Sequence, residues 1–311
     1  MTRVVFMGTP EFAVPVLKGL DENYEVIGVV TQPDKEVGRK QEIKYSPIKE
    51  YAISHNIKVL QPIKIRKEYQ EVLDLKPDII ITCAYGQIIP NEILDFPELG
   101  CINVHASLLP KYRGGAPIHR AIMNGEEKTG ITIMYMDPGM DTGDIIKSKE
   151  VKISDNMTVG ELHDVLSEMG KELLLEILPS IISKTNNRTK QNDEEASYGY
   201  IIKKEDEVVD FSDSAKKVHN KIRGLSPFPS SYSLLDGKRI KFYKSELGTS
   251  NKEGQIGEII NVYNDGIGVK TGDGEVIIKE LQPEGKKRMT AASYLNGLQN
   301  QSLIGKIFTK E

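Results

Sequence analysis

The chain has 311 residues, a formal net charge of −4 and two cysteines. That length accommodates two domains and at least one sizeable hydrophobic core. The slightly acidic balance excludes an attraction of the whole protein to nucleic acid, and two cysteines are too few for a disulfide scaffold. No apolar run reaches the ~20 residues of a membrane span, and the N-terminus lacks the pattern of a signal peptide. We therefore expect a cytoplasmic protein without a membrane partner.

The first half of the chain alternates apolar, strand-like runs with helix-like segments. The predicted strands are residues 3–7, 25–31, 58–61, 78–84 and 101–105, and the predicted helices are residues 10–20 and a segment around residues 48–53. The run at residues 78–84 is almost wholly apolar, which is typical of a strand buried on both faces. Strands separated by helices favour a parallel sheet with right-handed crossovers, so we expect a Rossmann-like α/β domain.

A glycine turn follows the first strand, but it lacks the dinucleotide fingerprint. Gly8 would begin a Gly-x-Gly-x-x-Gly motif, and Pro10 and Ala13 stand where its other glycines would be. Those glycines allow the backbone to approach a pyrophosphate closely and the helix to pack on the strand. A nicotinamide cofactor is therefore not expected.

The pattern changes after residue 130, where two extended runs flank a turn. Residues 131–136 and 145–151 are strand-like and predict an antiparallel pair, with a turn rich in glycine and aspartate between them. Residues 159–182 follow as a long amphipathic helix, because apolar side chains recur there at helical spacing. These elements complete the first predicted domain, residues 1–183.

A polar segment separates this domain from a second one. Residues 184–204 begin with a stretch that is almost free of apolar side chains, so we predict a linker. Residues 205–311 form the second predicted domain, with a helix at 214–223 and strands at 240–243, 256–262, 267–271 and 275–281. Short strands separated by Asp-Gly turns predict a small β-barrel, and an OB-like five-stranded barrel is compatible with the spacing.

Three polar side chains give the strongest functional signal. Asn103 and His105 are two residues apart, so on a strand their side chains leave from the same face. They lie near the carboxyl end of the predicted strand 101–105, and ligands of open α/β sheets bind at that edge. An amide that donates to a developing oxyanion, beside an imidazole held by a carboxylate such as Asp141, suits acyl transfer.

Each of these residues also has a purely structural interpretation. An isolated Asn-x-His pair could simply end a strand, and Asp141 could be a turn residue. Asp137 and Asp144 compete with Asp141 for the role of the carboxylate. The four remaining histidines lie in helix-like segments without zinc-ligand spacing, so no metal is expected.

Several motifs together give the chain a family likeness. Asn-x-His-x-Ser-Leu-Leu-Pro occupies residues 103–110, and Asp-x-Gly-x-Asp-Thr-Gly occupies residues 137–143. Further motifs that match lie at residues 5–13, 31–34, 84–86, 112–118 and 281–287. In these motifs the chain resembles formyltransferases that use 10-formyltetrahydrofolate, and the resemblance runs from the N-terminus to about Lys287.

The resemblance implies a set of residues for the chemistry. Asn103, His105 and Asp141 would be catalytic, and 10-formyltetrahydrofolate would be the co-substrate. The folate pocket would be formed by two short segments, Ser107, Leu108, Leu109 and Pro110 in one, and Tyr85, Gly86, Gln87, Ile88 and Ile89 in the other. The resemblance also implies an OB-like fold for the second domain.

The resemblance further implies the acceptor, the methionine amine of initiator methionyl-tRNA. Residues 34–47 form a charged connection that is longer than usual between a strand and a helix. In the family this loop engages the acceptor end of the tRNA; Arg39 has the position of its key arginine, and Lys40 is adjacent. Three adjacent basic residues of the second domain, Lys286, Lys287 and Arg288, are candidates for tRNA phosphate contacts. We expect the protein to act as a monomer.

Other functions compete with this one. Another folate formyltransferase would use the same three residues on an amino sugar or a nucleotide amine, and a hydrolase would release formate from the same co-substrate. The second domain and the long charged loop favour tRNA over these acceptors. A non-catalytic RNA-binding module is a different class; it leaves Asn103, His105 and Asp141 unexplained and lacks an aromatic stacking series.

Overall fold

The computed structural model describes residues 2–37, 42–298 and 302–310. These residues pack into two compact units. The first comprises the described parts of Met1–Pro117, Thr129–Val151 and His163–Tyr200, and the second comprises those of Ile118–Lys128, Lys152–Leu162 and Ile201–Glu311. The second unit thus includes two short segments that lie within residues 1–183, the first predicted domain, which the hydrophobic pattern does not indicate.

The first unit is built on a sheet of seven strands. The strands of this half of the chain are β1 (Arg3–Gly8), β2 (Glu25–Val30), β3 (Lys35–Val37), β4 (Glu42–Lys44), β5 (Val59–Leu60), β6 (Ile79–Cys83), β7 (Cys101–His105), β8 (Lys128–Tyr135) and β9 (Ile145–Lys152). Their order in the sheet is β5-β2-β1-β6-β7-β8-β9. The first five strands in this order are parallel to one another, and β8 runs antiparallel to β7. The predicted α/β parallel sheet is confirmed.

Helices connect these strands. They are α1 (Val14–Asn23), α2 (Pro47–Ser54), α3 (Gln70–Asp74), α4 (Asn91–Leu94), α5 (Pro117–Met123) and α6 (Val159–Ile182). The start of α2 shows the local cause: the Ser46 hydroxyl accepts the Lys49 N–H over 3.1 Å, and Pro47 takes a position where no backbone N–H is required. Helix α6 has the bounds that the apolar periodicity predicts.

The core of the first unit lies against its central strands. All five residues of β6 are buried, as its apolar composition predicts. Val5, Met7, Val30 and Ile80 belong to one buried cluster, which Tyr85 joins just beyond β6. Burying an aliphatic side chain of this size stabilises the fold by about 1.5–3 kcal/mol. The strand ends that carry the candidate site therefore extend from a rigid support.

The charged connection at residues 34–47 contains a small hairpin. Strands β3 and β4 pair antiparallel on either side of residues 38–41, which lie outside the described residues. At its base, Lys49 Nζ lies 2.5 Å from Asp34 Oδ2 and 2.8 Å from Gln61 Oε1. The hydrogen bond from Lys49 holds the pKa of the Asp34 carboxyl below its usual range. The hairpin is thus fixed where it leaves the sheet.

Most of the polar segment predicted as a linker packs on the first unit. Thr189 forms an antiparallel bridge with Ile145, with hydrogen bonds of 2.8 Å in both directions. Tyr198 forms a parallel bridge with Arg113. Residues 189–199 therefore have fixed places despite their polar composition.

The second unit contains a curled antiparallel sheet, and two helices accompany the sheet in the last third of the chain. Its strands are β10 (Ser231–Leu235), β11 (Lys238–Leu247), β12 (Ile259–Tyr263), β13 (Gly266–Lys270), β14 (Glu275–Pro283), β15 (Met289–Thr290) and β16 (Phe308–Thr309), and its helices are α7 (Ala215–Gly224) and α8 (Ala291–Asn296). The sheet order is β12-β13-β14-β11-β10-β16, and β15 pairs with β14. A bridge between Glu258 and Ile307 links the two edges. The predicted OB-like domain is confirmed, with two short strands beyond the simplest five.

Aromatic packing forms part of the core of this second unit. The rings of Phe211, Phe242 and Phe308 contact one another, with centroids 5.4–6.1 Å apart. All three side chains are buried in one cluster with the aliphatic residues of the sheet. Throughout the described parts of the chain, no helix combines the length and the apolar character needed to cross a membrane.

Candidate functional site

The carboxyl ends of β6 and β7 place Thr82 and Asn103 side by side. The two residues are partners in the parallel pairing, so their side chains share a face of the sheet. The buried Thr82 hydroxyl donates to the Asn103 amide oxygen over 2.8 Å. Because that oxygen is engaged, the Asn103 amide nitrogen faces Asp141, whose Oδ1 lies 3.4 Å away. The orientation of the Asn103 amide follows from these two partners.

Asp141 is the third residue of the predicted catalytic trio Asn103, His105 and Asp141, and it lies in the turn between β8 and β9. Its Oδ2 accepts the Gly114 N–H over 2.8 Å and lies 3.6 Å from His105 Nδ1. Asp141 has a φ of +54°, in the left-handed region that aspartate tolerates better than most residues. Gly143 allows the turn to close, because a Cβ there would lie 1.9 Å from the Tyr135 carbonyl oxygen. The structure thus brings Asn103, His105 and Asp141 together.

The imidazole of His105 is buried, and both of its nitrogens face oxygen atoms. Nε2 lies 3.0 Å from the Tyr112 carbonyl, which only accepts hydrogen bonds, so Nε2 carries a proton. Nδ1 faces the Asp141 carboxylate, a contact that is favourable when a proton lies between the two groups. The imidazole of His105 is therefore held between the Tyr112 carbonyl and the Asp141 carboxylate, beside the Asn103 amide.

The other two aspartates of the turn have different partners. Asp137 Oδ1 accepts hydrogen bonds from the Gly139 N–H over 3.0 Å and from the Thr142 hydroxyl over 2.5 Å. Asp144 forms an ion pair with Arg188 at 3.1 Å. Asp137 thus stabilises the turn and Asp144 pairs outside the trio, which leaves Asp141 as the carboxylate that faces Asn103 and His105.

The segment at residues 85–89 follows the carboxyl end of β6, and its Tyr85 carbonyl accepts from the Thr9 hydroxyl over 3.0 Å and from the Gln32 amide over 3.1 Å. Tyr85 and Ile89 are buried, Ile88 is exposed, and Gly86 has a φ of +89°. The Gln87 amide is already engaged, because its oxygen accepts the Ile65 N–H and its nitrogen donates to the Pro62 carbonyl. Burial raises the pKa of the Tyr85 phenol far above its usual range, so the group stays neutral.

The second predicted folate segment begins directly after β7. The buried Ser107 hydroxyl donates to the Lys111 carbonyl over 2.6 Å, and the Leu109 N–H donates to the Thr132 hydroxyl over 3.2 Å. Because β6 and β7 are parallel neighbours, both predicted folate segments leave the same edge of the sheet, where the trio lies. Leu108 and Pro110 complete this segment at its surface, half-buried.

Some of the predicted tRNA contacts lie in the described parts of the chain and others lie outside them. Arg39 and Lys40 lie outside the described residues. In the second unit Lys286 and Lys287 are exposed, whereas Arg288 lies over the Tyr243 ring and forms an ion pair with Glu280. All three adjacent cations are exposed, and Arg288 differs from the two lysines in its ion pair with Glu280.

Several residues that build this site are not predicted from the sequence. Thr82 orients Asn103, and the buried side chains of Arg113 and Gln191 lie behind the Asp141 turn. Thr82 sits inside an apolar strand and Gln191 inside a polar segment, so neither stands out from its neighbours. Arg113 does have a signal in the sequence, because it lies between Tyr112 and Gly114 in the motif at residues 112–118 that resembles the formyltransferases.

An α/β sheet with an amide, an imidazole and a carboxylate at the carboxyl ends of its strands defines an enzyme-like site for acyl-group chemistry. The family model described as formyl transferase matches residues 2–178, and the model of the formyl transferase C-terminal domain matches residues 201–299. The chain belongs to the formyl transferase family.

Individual relatives agree with this assignment. A methionyl-tRNA formyltransferase of Macrococcus caseolyticus is 51% identical over 312 residues, which cover 100% of both chains. An N-formyltransferase from Helicobacter canadensis, solved with folinic acid and dTDP-3-aminofucose, superposes with a TM-score of 0.68 at 23% identity and covers 89% of this chain and 99% of that one. A methionyl-tRNA formyltransferase from Clostridium thermocellum gives a TM-score of 0.56 at 20% identity, covering 81% of this chain and 96% of that one. The two solved structures show the shared fold.

Proposed function

We propose that this protein transfers the formyl group of 10-formyltetrahydrofolate to the α-amino group of methionine on initiator methionyl-tRNA. The observation that carries the proposal is the 51% identity to a methionyl-tRNA formyltransferase over the full length of both chains. The identity extends over the second unit as well as the first. The protein would act as a cytoplasmic monomer at the start of translation.

The proposed chemistry uses the trio as one unit. The neutral α-amine attacks the formyl carbon, the new C–N bond forms, and the bond from that carbon to folate N10 breaks. The carbonyl oxygen gains negative charge on the way, and the Asn103 amide nitrogen is turned to donate to it by the Thr82 contact. Overall one proton moves from the amine to N10, and the His105–Asp141 pair lies where it can hold that proton in transit.

The folate would bind along the two segments at the sheet edge. Ser107, Leu108, Leu109 and Pro110 would contribute one wall, and Tyr85, Gly86, Gln87, Ile88 and Ile89 the other. Backbone groups of residues 86–89 would make the polar contacts of that wall, because the Gln87 amide and the Tyr85 carbonyl are engaged within the protein and the Tyr85 side chain is part of the core. The folinic acid bound by the solved N-formyltransferase supports a folate in this fold.

The tRNA would contact both units. Arg39 and Lys40 would engage the acceptor end from the loop whose base is fixed by Asp34 and Lys49. An arginine can stack on an opened base or fork onto a phosphate, which suits discrimination at the end of the acceptor stem. Lys286, Lys287 and Arg288 would add phosphate contacts, of which the two exposed lysines offer the more available charge.

A competition among acceptors tests this function. The full-length protein is given labelled 10-formyltetrahydrofolate with methionyl-initiator tRNA, methionyl-elongator tRNA and an amino-sugar nucleotide in one reaction. We expect the label on the methionine of the initiator tRNA. Label on the amino sugar, or release of free formate alone, would contradict the proposal and identify the rival acceptor directly.

A further inference from the structure

Behind the Asp141 turn lies a buried polar contact that the proposed chemistry does not use. The Gln191 amide nitrogen donates to the Asp141 carbonyl over 2.8 Å and to the Gly143 carbonyl over 2.8 Å. Its amide oxygen accepts from Arg113 Nε over 3.2 Å and from Arg113 Nη2 over 2.9 Å. Gln191 is 7% exposed and Arg113 is 2% exposed, so water does not substitute for these partners.

The orientation of the Gln191 amide is determined by its neighbours. Carbonyl oxygens only accept hydrogen bonds, so the nitrogen must face the Asp141 and Gly143 carbonyls. The Arg113 guanidinium only donates, so the oxygen must face it. Both hydrogens of the amide nitrogen and both acceptor sites of the oxygen are therefore in use. A side chain that is fully satisfied in one orientation acts as a rigid link between Arg113 and the turn.

The segment that carries Gln191 is itself attached to the first unit on both sides. On one side Thr189 bridges to Ile145, and on the other Ser197 accepts the Arg113 backbone N–H over 2.8 Å. Asp193 adds an ion pair to Arg113 from the solvent side, where the Asp193 side chain is 76% exposed. The polar segment thus supplies a fixed point for Gln191.

The position of Gln191 relates directly to the geometry of the Asp141 carboxylate. Asp141 has a positive φ, a backbone conformation that persists only where the surroundings hold it. Gln191 binds the carbonyl of Asp141 and that of Gly143, the residue two positions further on. If these contacts loosen, the turn can relax and carry the carboxylate away from His105 Nδ1.

We propose that Gln191, held by Arg113, is a positioning residue that sets the Asp141 carboxylate against His105 and Asn103. The role rests on the proposed function, since it concerns the geometry of the formyl transfer and not the choice of acceptor. Gln191 donates to the carbonyls of Asp141 and Gly143 and acts through this backbone of the turn. The polar segment after α6 is therefore part of the working site.

The test removes the hydrogen-bond donors of the Gln191 side chain and keeps the size of that side chain. Gln191→Glu retains an oxygen for Arg113 and loses the N–H groups that bind the two carbonyls. We expect kcat to fall roughly 10- to 100-fold, because a misplacement of about 1 Å at a reacting group costs up to ~10²-fold. KM for the folate and for the tRNA should change less than about threefold, since this loss concerns only the transition state.

Controls separate this role from a general loss of stability. Asp193→Ala removes a contact of the same guanidinium on the solvent side and should leave kcat near wild type. Arg113→Lys keeps the charge but loses the paired contact of Nε and Nη2 with the Gln191 oxygen. Like Gln191→Glu, it should lower kcat. Melting temperatures are measured for each variant, and kcat is expressed per folded protein. Equal kcat losses in Asp193→Ala and Gln191→Glu would overturn the proposal.

Two further measurements separate this proposal from the proposed function. In an Asp141→Ala background, Gln191→Glu should cause no further loss of kcat, because both changes act on one carboxylate. Additive losses would overturn the positioning role.

The imidazole ¹⁵N resonances of His105, identified with His105→Asn, give a readout that does not depend on activity. At neutral pH, Gln191→Glu should move them in the same direction as Asp141→Asn and leave the His219 signals in place. Unmoved His105 resonances would overturn the proposal, whereas full activity of Asp141→Ala would overturn only the catalytic role of Asp141.

Discussion

Two polar regions of this protein differ in how their side chains are held. At the sheet edge of the first unit, Thr82, His105, Arg113 and Gln191 are buried and bonded to groups that fix their orientation. On the barrel of the second unit, the basic residues 286–288 lie at the surface. The first arrangement restricts geometry, and the second supplies charge.

The difference indicates what each region contributes. Group transfer requires donors that already point to where charge will develop, so a buried network with single orientations is useful there. Attraction to a polyanion depends mainly on charge and on the release of counterions, which tolerate flexible lysines. Substitutions at the sheet edge should therefore change kcat, and substitutions on the barrel should change affinity and its salt dependence.

The largest effect should come from the trio. Asn103→Ala removes the amide donor and should lower kcat by roughly 10²–10³-fold, the cost of losing an oxyanion donor in a protease. Asp141→Ala removes the carboxylate that faces His105 Nδ1 and should lower kcat by roughly 10²–10⁴-fold, the usual contribution of general acid–base catalysis. Asp144→Ala is the matched control, because Asp144 belongs to the same turn but pairs with Arg188. Single-turnover formyl transfer at saturating folate measures the chemical step. Equal rates for Asp141→Ala and Asp144→Ala would exclude Asp141 from the mechanism.

A smaller effect is expected at Thr82. Thr82→Val keeps the shape of a buried strand residue and removes the hydroxyl that holds the Asn103 amide oxygen. A hydrogen bond of this kind is worth about 0.5–1.5 kcal/mol, so kcat should fall roughly 2- to 12-fold. Thr129→Val, at another buried threonine of the first unit, serves as the control. A Thr82→Val enzyme with wild-type kcat would mean that Asn103 keeps its orientation without the hydroxyl.

The sequence predicts those features of the site that depend on residues close together in the chain. Periodicity gives the strand β7 and the helix α6 with their observed bounds, and a spacing of two places Asn103 and His105 on one face. Composition does not predict where the polar segment packs, because the contact of Gln191 with Asp141 joins residues 50 positions apart. Likewise, nothing in the apolar run of β6 shows that Thr82 would face Asn103 across the sheet.

Substitutions of the basic residues on the barrel should change the affinity for tRNA. Replacing Lys286 and Lys287 together by Gln should weaken tRNA binding, and each true phosphate contact that is lost should reduce the slope of log K against log salt by about 0.9. Arg288→Gln should have a smaller effect, because Glu280 already neutralises that guanidinium. Binding is measured at several salt concentrations, together with kcat at saturating tRNA, which should not change. An unaltered salt slope in the double variant would locate the tRNA contacts elsewhere.

The smallest effect concerns a second buried histidine, which resembles His105 in burial but not in its partners. His219 Nε2 donates to the Asp155 carbonyl over 2.9 Å, so in the neutral ring Nδ1 accepts from the Ser245 hydroxyl over 2.9 Å. Burial lowers the pKa of His219; Arg223 and Lys216 lower it further, while the hydrogen bond to the Asp155 backbone and the Asp155 carboxylate oppose the shift.

The sign of the pH dependence follows from this lowered pKa. Above the unfolded value of about 6.5 the ring is neutral in both states, and the fold has its full stability. As the pH falls from there through the folded pKa, the unfolded chain takes up the proton more readily, so the free energy of unfolding decreases. Urea unfolding of wild type and His219→Gln between about pH 8 and pH 5 measures this, since Gln cannot titrate. The wild type should lose more stability over that interval than the variant; parallel curves would show that the buried ring of His219 contributes nothing to the acid sensitivity of the barrel.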